Sequence, residues 1–489
     1  MCRNQHALLF AVSVLLGAPV PAVAEWREVR TDHFRVIGDV SATRLRDVAL
    51  RFEQFRDVVT QLLPDAIPAA SAPVVVIVFP DAQSYRPFMP VVNARTVPVD
   101  GFFVDGADVN YITMNVEAGE RAFPIVFHEF SHFLLNNAFP RTPLWFHEGL
   151  AEYFSTIEVT ADGQRVVVGK PVARHVALLR TRRLSLPQLF AIDQTSKQYT
   201  QDGPERDLLY AKSWAVVHHA RHAKPARFGA LVWLARRLAD GESADGSVRG
   251  TYAMPLDKLD ADIQAHPRSA GYDEITLRNG VITRVTSEAT AIDAAETDAW
   301  LADLLSHLQR GPEAIPRLER ALQARADLPR ALATLGVLRI RQGNRPEGLS
   351  LLEKAAAAGP DIETVQFEYG WALATEPVLD ATKIDRARQA LERALVIRPG
   401  YPAAIQMLAA VYGRTGDVVR MRELLTPLVK AVPDNQDAAL QLAAAMLALG
   451  EIPAARALLG PILARPRDGE MRARARTLLG QISKLQEQP

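Results

Sequence analysis

Two histidines four residues apart, His128 and His132, with Glu129 beside the first, are the residue types and spacing in this sequence that most directly imply chemistry. Positions i and i+4 share one face of a helix, so both imidazoles can present a nitrogen to one metal ion. Glu129 then projects beside the metal rather than onto it, which suits a general base. Residues 123–135 are otherwise almost wholly apolar. A helix of that composition is expected to be buried, and buried ionisable groups need compensation, which a metal can supply. A catalytic zinc site needs a third protein ligand. The segment Trp145-Phe146-His147-Glu148-Gly149-Leu150-Ala151-Glu152-Tyr153 offers three candidates, His147, Glu148 and Glu152. The metzincin route is closed, because Ala138 stands where its third histidine would fall and Leu135 where its glycine would.

The elements that must position these groups are mixed. Residues 33–37 read as a short strand, 42–63 carry apolar residues at helical spacing, and 73–79 form a β-branched run typical of a buried strand. Residues 102–104 and 109–114 flank Asp105-Gly106, a pair suited to the positive backbone angles of a tight hairpin turn. Two helices follow at 118–138 and 143–156, separated by Pro140 and Pro143. A second hairpin is expected around Asp162-Gly163, then a largely helical stretch over 172–239. Within it His218, His219 and His222 repeat the i, i+4 spacing, but they have no adjacent acid and no apolar setting, and are expected to be exposed.

Beyond residue 300 the text becomes Ala- and Leu-rich helix. Gly336 and Gly370, Pro399 and Pro433, and Gly416 and Gly450 are each 34 residues apart, the tetratricopeptide period. Four to five units are expected, the first of them weak over 300–326, with a short insertion at 376–383 and a capping helix at 471–485.

The pairing of His128–His132 with Glu148-Gly149-Leu150-Ala151 resembles the gluzincin metallopeptidases of the thermolysin and aminopeptidase type. It is most similar to the secreted bacterial peptidase-MA-like domains, which are often joined to tetratricopeptide repeats. An opening like residues 26–34, a run like 73–80, and a text like that from Pro143 through Trp145 and Glu148 to Tyr153 recur there. The resemblance covers about residues 25–240. It implies an α+β zincin-like metallopeptidase domain followed by an all-α tetratricopeptide superhelix, with zinc held by His128, His132 and Glu148, and Glu129 as the base. It further implies that Glu152 orients a ligand histidine and that Tyr210, in the segment from Leu208 to Trp214, is the second donor to the oxyanion. His147 stands where the family more often has Asn, which keeps His147 as an alternative ligand to Glu148. In such folds the strand at 109–115 edges the cleft and pairs with extended substrate, which favours peptides. No acidic Gly-x-Met-x-Asn segment for capturing a free amine is present, so the resemblance implies an endopeptidase rather than an aminopeptidase.

Composition bounds the rest. A chain of 489 residues exceeds one core. Lys plus Arg and Asp plus Glu both number 56, so no net field favours nucleic acid or an anionic membrane. Arg3, the apolar stretch 7–18 and Ala22-Val23-Ala24 read as a cleaved signal over 1–24, implying export, to the periplasm, without membrane insertion afterwards. The sole cysteine, Cys2, lies in that segment, so disulfides and thiolate ligands are excluded from the mature chain. The expected organisation is a peptidase domain over 25–270, a connector over 271–296 with a possible small strand pair, and a separately folding repeat domain over 297–489 that recruits a protein partner or substrate. The competing expectation is a non-catalytic periplasmic interaction protein, with the repeats doing the work and the metal site structural or vestigial.

Overall fold

The computed structural model describes residues 25–63, 72–92, 95–139, 142–222, 228–268, 271, 273–277, 279–378, 380–433, 435–463 and 469–486; the expected signal over 1–24 lies outside them. Strands β1 (Arg27–Arg30) and β2 (Phe34–Gly38) form a hairpin, and helix α1 (Ala42–Leu62) follows, capped by Ser41, whose hydroxyl accepts from the Arg44 amide. Next come β3 (Val74–Phe79), the hairpin of β4 (Gly101–Val104) and β5 (Asn110–Asn115), and helices α2 (Ala122–Ala138) and α3 (Leu144–Phe154). A small sheet of β6 (Glu158–Val159) and β7 (Arg165–Val168), helix α4 (Ala173–Thr181) and the long helix α5 (Pro204–His222) complete the neighbourhood of the site. Later strands β8 (Asp273–Thr276) and β9 (Thr290–Ala291) return to these sheets.

The main sheet has the order β9-β1-β2-β3-β5-β4, with β2, β3 and β5 parallel and β4 antiparallel at one edge. Alternation at period two splits its side chains between two cores. Val36, Val76, Val78, Ile112 and Met114 face α1 and α2, whereas Ile37, Val75, Ile77, Phe79 and Tyr111 face the other way. Both faces are covered, which is why every residue of the Val74–Phe79 run is buried.

The covering on the second face is the repeat array. Its helices are α6 (Ala294–His307), α7 (Gly311–Ala324), α8 (Pro329–Arg341), α9 (Arg345–Ala358), α10 (Glu363–Ala374), α11 (Ala381–Ile397), α12 (Pro402–Thr415), α13 (Val418–Ala431), α14 (Gln436–Ala448), α15 (Ile452–Leu463) and a closing α16 (Gly469–Gln486). Ala299, Trp300, Leu304, Leu318 and Leu335 share one core with Ile77, Phe79 and Tyr111. The two parts are therefore not separately packed, contrary to the expectation of an independent repeat domain. The connector is likewise stitched in: β8 pairs with β7 and β9 with β1, not with each other.

Two local expectations are also corrected, and the repeat glycines divide into two roles. The β4–β5 turn is not a two-residue turn, since Val104 pairs with Tyr111 and neither Asp105 nor Gly106 has a positive φ. Gly106 is needed for close approach: a Cβ there would lie 2.1 Å from Val109 O and 3.0 Å from His307 Cδ2 on α6. The edges of the main sheet are β9 and β4, not the strand at 110–115, which lies between β3 and β4. In the repeats, Gly416 and Gly450 do terminate helices with φ of 78° and 77°, but Gly336 and Gly370 lie inside α8 and α10. There a Cβ would meet Leu352 Cγ at 2.8 Å and Leu391 Cγ at 2.6 Å, so these glycines set helix-to-helix spacing. No helix among the described residues is long and apolar enough to cross a membrane.

Candidate metal centre

The site is built at the junction of α2, α3 and α5. Helix α2 is apolar on most of its surface and buries Phe123, Val126, Phe127, Phe130 and Leu134 against α1 and the sheet, which turns His128 and His132 toward α3. Helix α3 begins after Pro143 and buries Glu148, Gly149, Leu150, Ala151 and Glu152. Gly149 lets α3 approach α5 at backbone distance, because a Cβ there would lie 2.4 Å from Ser213 O. That approach places Glu148 over the histidines and Tyr210 beside them.

His128, His132 and Glu148 each offer one donor atom to a common point. His132 Nε2 lies 3.2 Å from His128 Nε2, and Glu148 Oε2 lies 3.3 Å from the first imidazole and 3.4 Å from the second. Donors bound tetrahedrally at the usual zinc distances of about 2.0–2.1 Å stand roughly 3.3 Å from one another. Glu148 is only 1% exposed, and its Oε2 forms no hydrogen bond of good geometry. A buried carboxylate oxygen with no hydrogen bond of good geometry, facing two imidazole nitrogens, is a nitrogen and oxygen donor set that fits zinc. His147 is turned elsewhere, its Nε2 lying 2.7 Å from Thr142 Oγ1.

The electrostatics favour a cation at this point. Burial alone would raise the Glu148 carboxyl, but the contacts of His128 and His132 outweigh it and hold the carboxyl at about 2. Burial likewise opposes charge on His128, yet Glu148, Glu152 and Glu129 raise it to about 9. Glu152 sits behind the site, its Oε1 3.5 Å from His128 Nδ1 and its Oε2 2.9 Å from His175 Nε2. Arg174 reaches the same carboxylate at 3.3 Å. A carboxylate on the far nitrogen of a ligand histidine fixes its tautomer and ring orientation.

Glu129 is half-buried on the same helix. The Tyr210 ring centroid lies 5.8 Å from that of His128, and its phenol is pushed well above the ordinary tyrosine value by burial and then by Glu148. Tyr199, in the short helix Lys197–Thr200, is raised to about 12 by burial and by the charges of Glu148 and Glu129. Sequence reading passed over Tyr199, His175 and Arg174, whose segments carry no motif; only the fold brings them to the site.

The second histidine cluster is not exposed. His218 is fully buried, its Nε2 2.8 Å from Gly169 O and its Nδ1 2.7 Å from His266 Nε2. The carbonyl accepts a hydrogen bond from Nε2–H, and burial, with His222 and His266 nearby, lowers His218 to about 3. The cluster is a packed polar core, made so by the helix that carries His266.

Residues 422–482 match the tetratricopeptide repeat family. No curated protein matches the chain. Among solved structures, a thermophilic tetratricopeptide-repeat protein of Thermus thermophilus is 23% identical, over 38% of this chain and 99% of its own, with a TM-score of 0.31. YrrB, a repeat protein described as having an unusual peptide-binding site, is 17% identical over 38% and 92%, with a TM-score of 0.32. PilW, a type IV pilus biogenesis factor, is 20% identical over 38% and 81%, with a TM-score of 0.31. The C-terminal part of this chain carries tetratricopeptide-type repeats.

Proposed function

We propose that this chain is an exported zinc-dependent metallopeptidase that hydrolyses internal peptide bonds. The observation that supports this most directly is the set of three donor atoms 3.2–3.4 Å apart, one of them a buried carboxylate oxygen without a hydrogen bond of good geometry. His128, His132 and Glu148 would hold the ion, and Glu152 would orient His128. A zinc ion supplies Lewis acidity for a scissile carbonyl and acidifies water. Glu129, next to a ligand but not aimed at the donor point, takes the proton of the attacking water and passes it to the leaving amine. The raised phenols of Tyr210 and Tyr199 stay protonated, so either can donate to the developing oxyanion. The edge strand β4, packed on α2 with Phe103 against Phe133, suits pairing with extended peptide.

The tetratricopeptide match supports a second reading, a repeat-based interaction protein in which the metal site is structural or vestigial. Metal analysis combined with a peptide-library digest separates the two. Stoichiometric zinc with cleavage by the parent and none by Glu129→Gln supports a peptidase. Zinc without any cleavage sinks it and leaves the interaction reading.

A further inference from the structure

A cavity of about 460 Å³ lies between the β1–β2 turn and the first helices of the leading repeats, α6, α8 and α10. It touches α2 only through Phe130, Phe133 and Leu134, which lie on the opposite face of that helix from His128 and His132. Among the described residues its wall carries six arginines and four carboxylates, so it is locally cationic in a chain that is neutral overall.

Two of those arginines pack against one aromatic ring. The guanidinium carbons of Arg330 and Arg35 lie 3.4 Å and 4.9 Å from the Trp300 ring centroid. Stacking on an indole accounts for part of the stabilisation of each cation, but not for placing two like charges together. Arg330 has Asp303 at 3.5 Å, whereas Arg35 has only an Nε contact with Glu28, at 2.8 Å, and no described hydrogen bond on its terminal nitrogens. Burial, followed by the neighbouring Arg330, lowers Arg35 to about 10. Arg56 is half-buried in the same wall, and its guanidinium makes no ion pair or hydrogen bond among the described residues. Guanidinium nitrogens without partners, in a cavity with an apolar floor, call for a planar anion attached to an apolar group. The four wall carboxylates and the limited volume exclude an extended polyanion such as nucleic acid.

We propose that this cavity binds a carboxylate-bearing peptide, with its carboxylate on the Arg35 and Arg56 guanidiniums beside Trp300 and an apolar side chain against Phe130, Phe133 and Leu134. The carboxylate is either the C-terminus of a chain or an acidic side chain. The site is formed jointly by the sheet and the repeats, and it does not depend on the metal centre being catalytic.

The test is titration calorimetry on the full mature chain carrying Glu129→Gln, so that probes are not cleaved. Three pentapeptides share one apolar sequence: one with a free C-terminus, one amidated, and one amidated with a glutamate in the penultimate position. The free acid or the glutamate amide is expected to bind at least tenfold more tightly than the plain amide, and whichever does so identifies the source of the carboxylate. Arg35→Gln and Arg56→Gln should each reduce that preference, and Arg35→Lys should keep part of it. Arg56 is half-buried and unpaired, so Arg56→Gln carries the test if Arg35→Gln does not fold. Equal binding of all three peptides, no binding of any, or an unchanged preference in Arg56→Gln and folded Arg35→Gln would overturn the proposal.

Discussion

His307 Nε2, on the first repeat helix, lies 2.9 Å from Asp108 Oδ1 at the tip of the β4–β5 hairpin. The pair heads a buried network. Asp303 accepts from the Thr334 hydroxyl at 2.7 Å and from the Tyr111 hydroxyl, and the Tyr401 hydroxyl donates to Asp108 O at 3.2 Å. The repeat array thus grips the hairpin whose outer strand, β4, is one edge of the sheet. Removing one partner of a buried pair leaves a charge without compensation and costs about 3 kcal/mol. Asp108→Ala should lose that much in urea denaturation of the full chain, and an unchanged midpoint would count against the network as the clasp between the two parts.

Stability should fall on both sides of neutrality, for different reasons. Burial opposes charge on His307, but Asp303 and Asp108 outweigh it and raise the imidazole to about 10, with Arg330 and Glu368 also facing this network. Its contribution is complete below the ordinary 6.5 and is lost as pH rises toward 10. His218 and His266 are lowered, chiefly by burial, to about 3 and about 4, so their contribution is complete above 6.5 and is lost as pH falls. Melting temperatures across pH 4–10 should peak near neutrality. His266→Asn should flatten the acid limb and His307→Gln the alkaline one, and limbs unaltered by both would refute these assignments.

At the metal centre, Glu129→Gln should keep zinc and lower hydrolysis by a factor on the order of 100 or more. Glu148→Ala should lose zinc affinity itself, because it removes one of the three converging donors. Hydrolysis by Glu129→Gln at the parent rate would dismiss Glu129 as the base.

Glu152 is expected to act through His128 rather than on substrate. Glu152→Gln should weaken zinc binding about 10- to 100-fold, the usual effect of losing an outer partner of a ligand histidine. Competition with a chromophoric chelator measures this directly. Parental affinity in Glu152→Gln would leave the carboxylate as a partner of His175 and Arg174 alone.

Cutting the chain after Gly280 should not release an active domain. That cut removes β9 and uncovers Ile77, Phe79 and Tyr111 on the second face of the sheet. The expected product is aggregated or lacks near-ultraviolet dichroism. A soluble, zinc-loaded fragment ending at Gly280 would show that the shared core is dispensable.

The sequence by itself determined what depends on local periodicity. The i, i+4 histidines, Glu148 and Glu152 one turn apart on the next helix, and the 34-residue interval were all legible, because helical geometry converts spacing into a shared face. So were β2, β3, β4, β5 and the β6–β7 hairpin in chain order, whereas β1 and the separate partners of β8 and β9 were not. The tertiary structure alone decided what depends on packing between distant segments. The continuous apolar run at Val74–Phe79 reads as buried, but only α6 and its neighbours, more than 200 residues on, show what covers its second face. His218 reads as a surface residue until His266 and two backbone carbonyls surround it. Tyr199 and His175 lie in segments without pattern, and Arg35 and Arg330 come together across 295 residues of chain to pack against Trp300. Contacts of that separation leave no local periodicity, because each partner is chosen by the surface it meets and not by its neighbours in sequence.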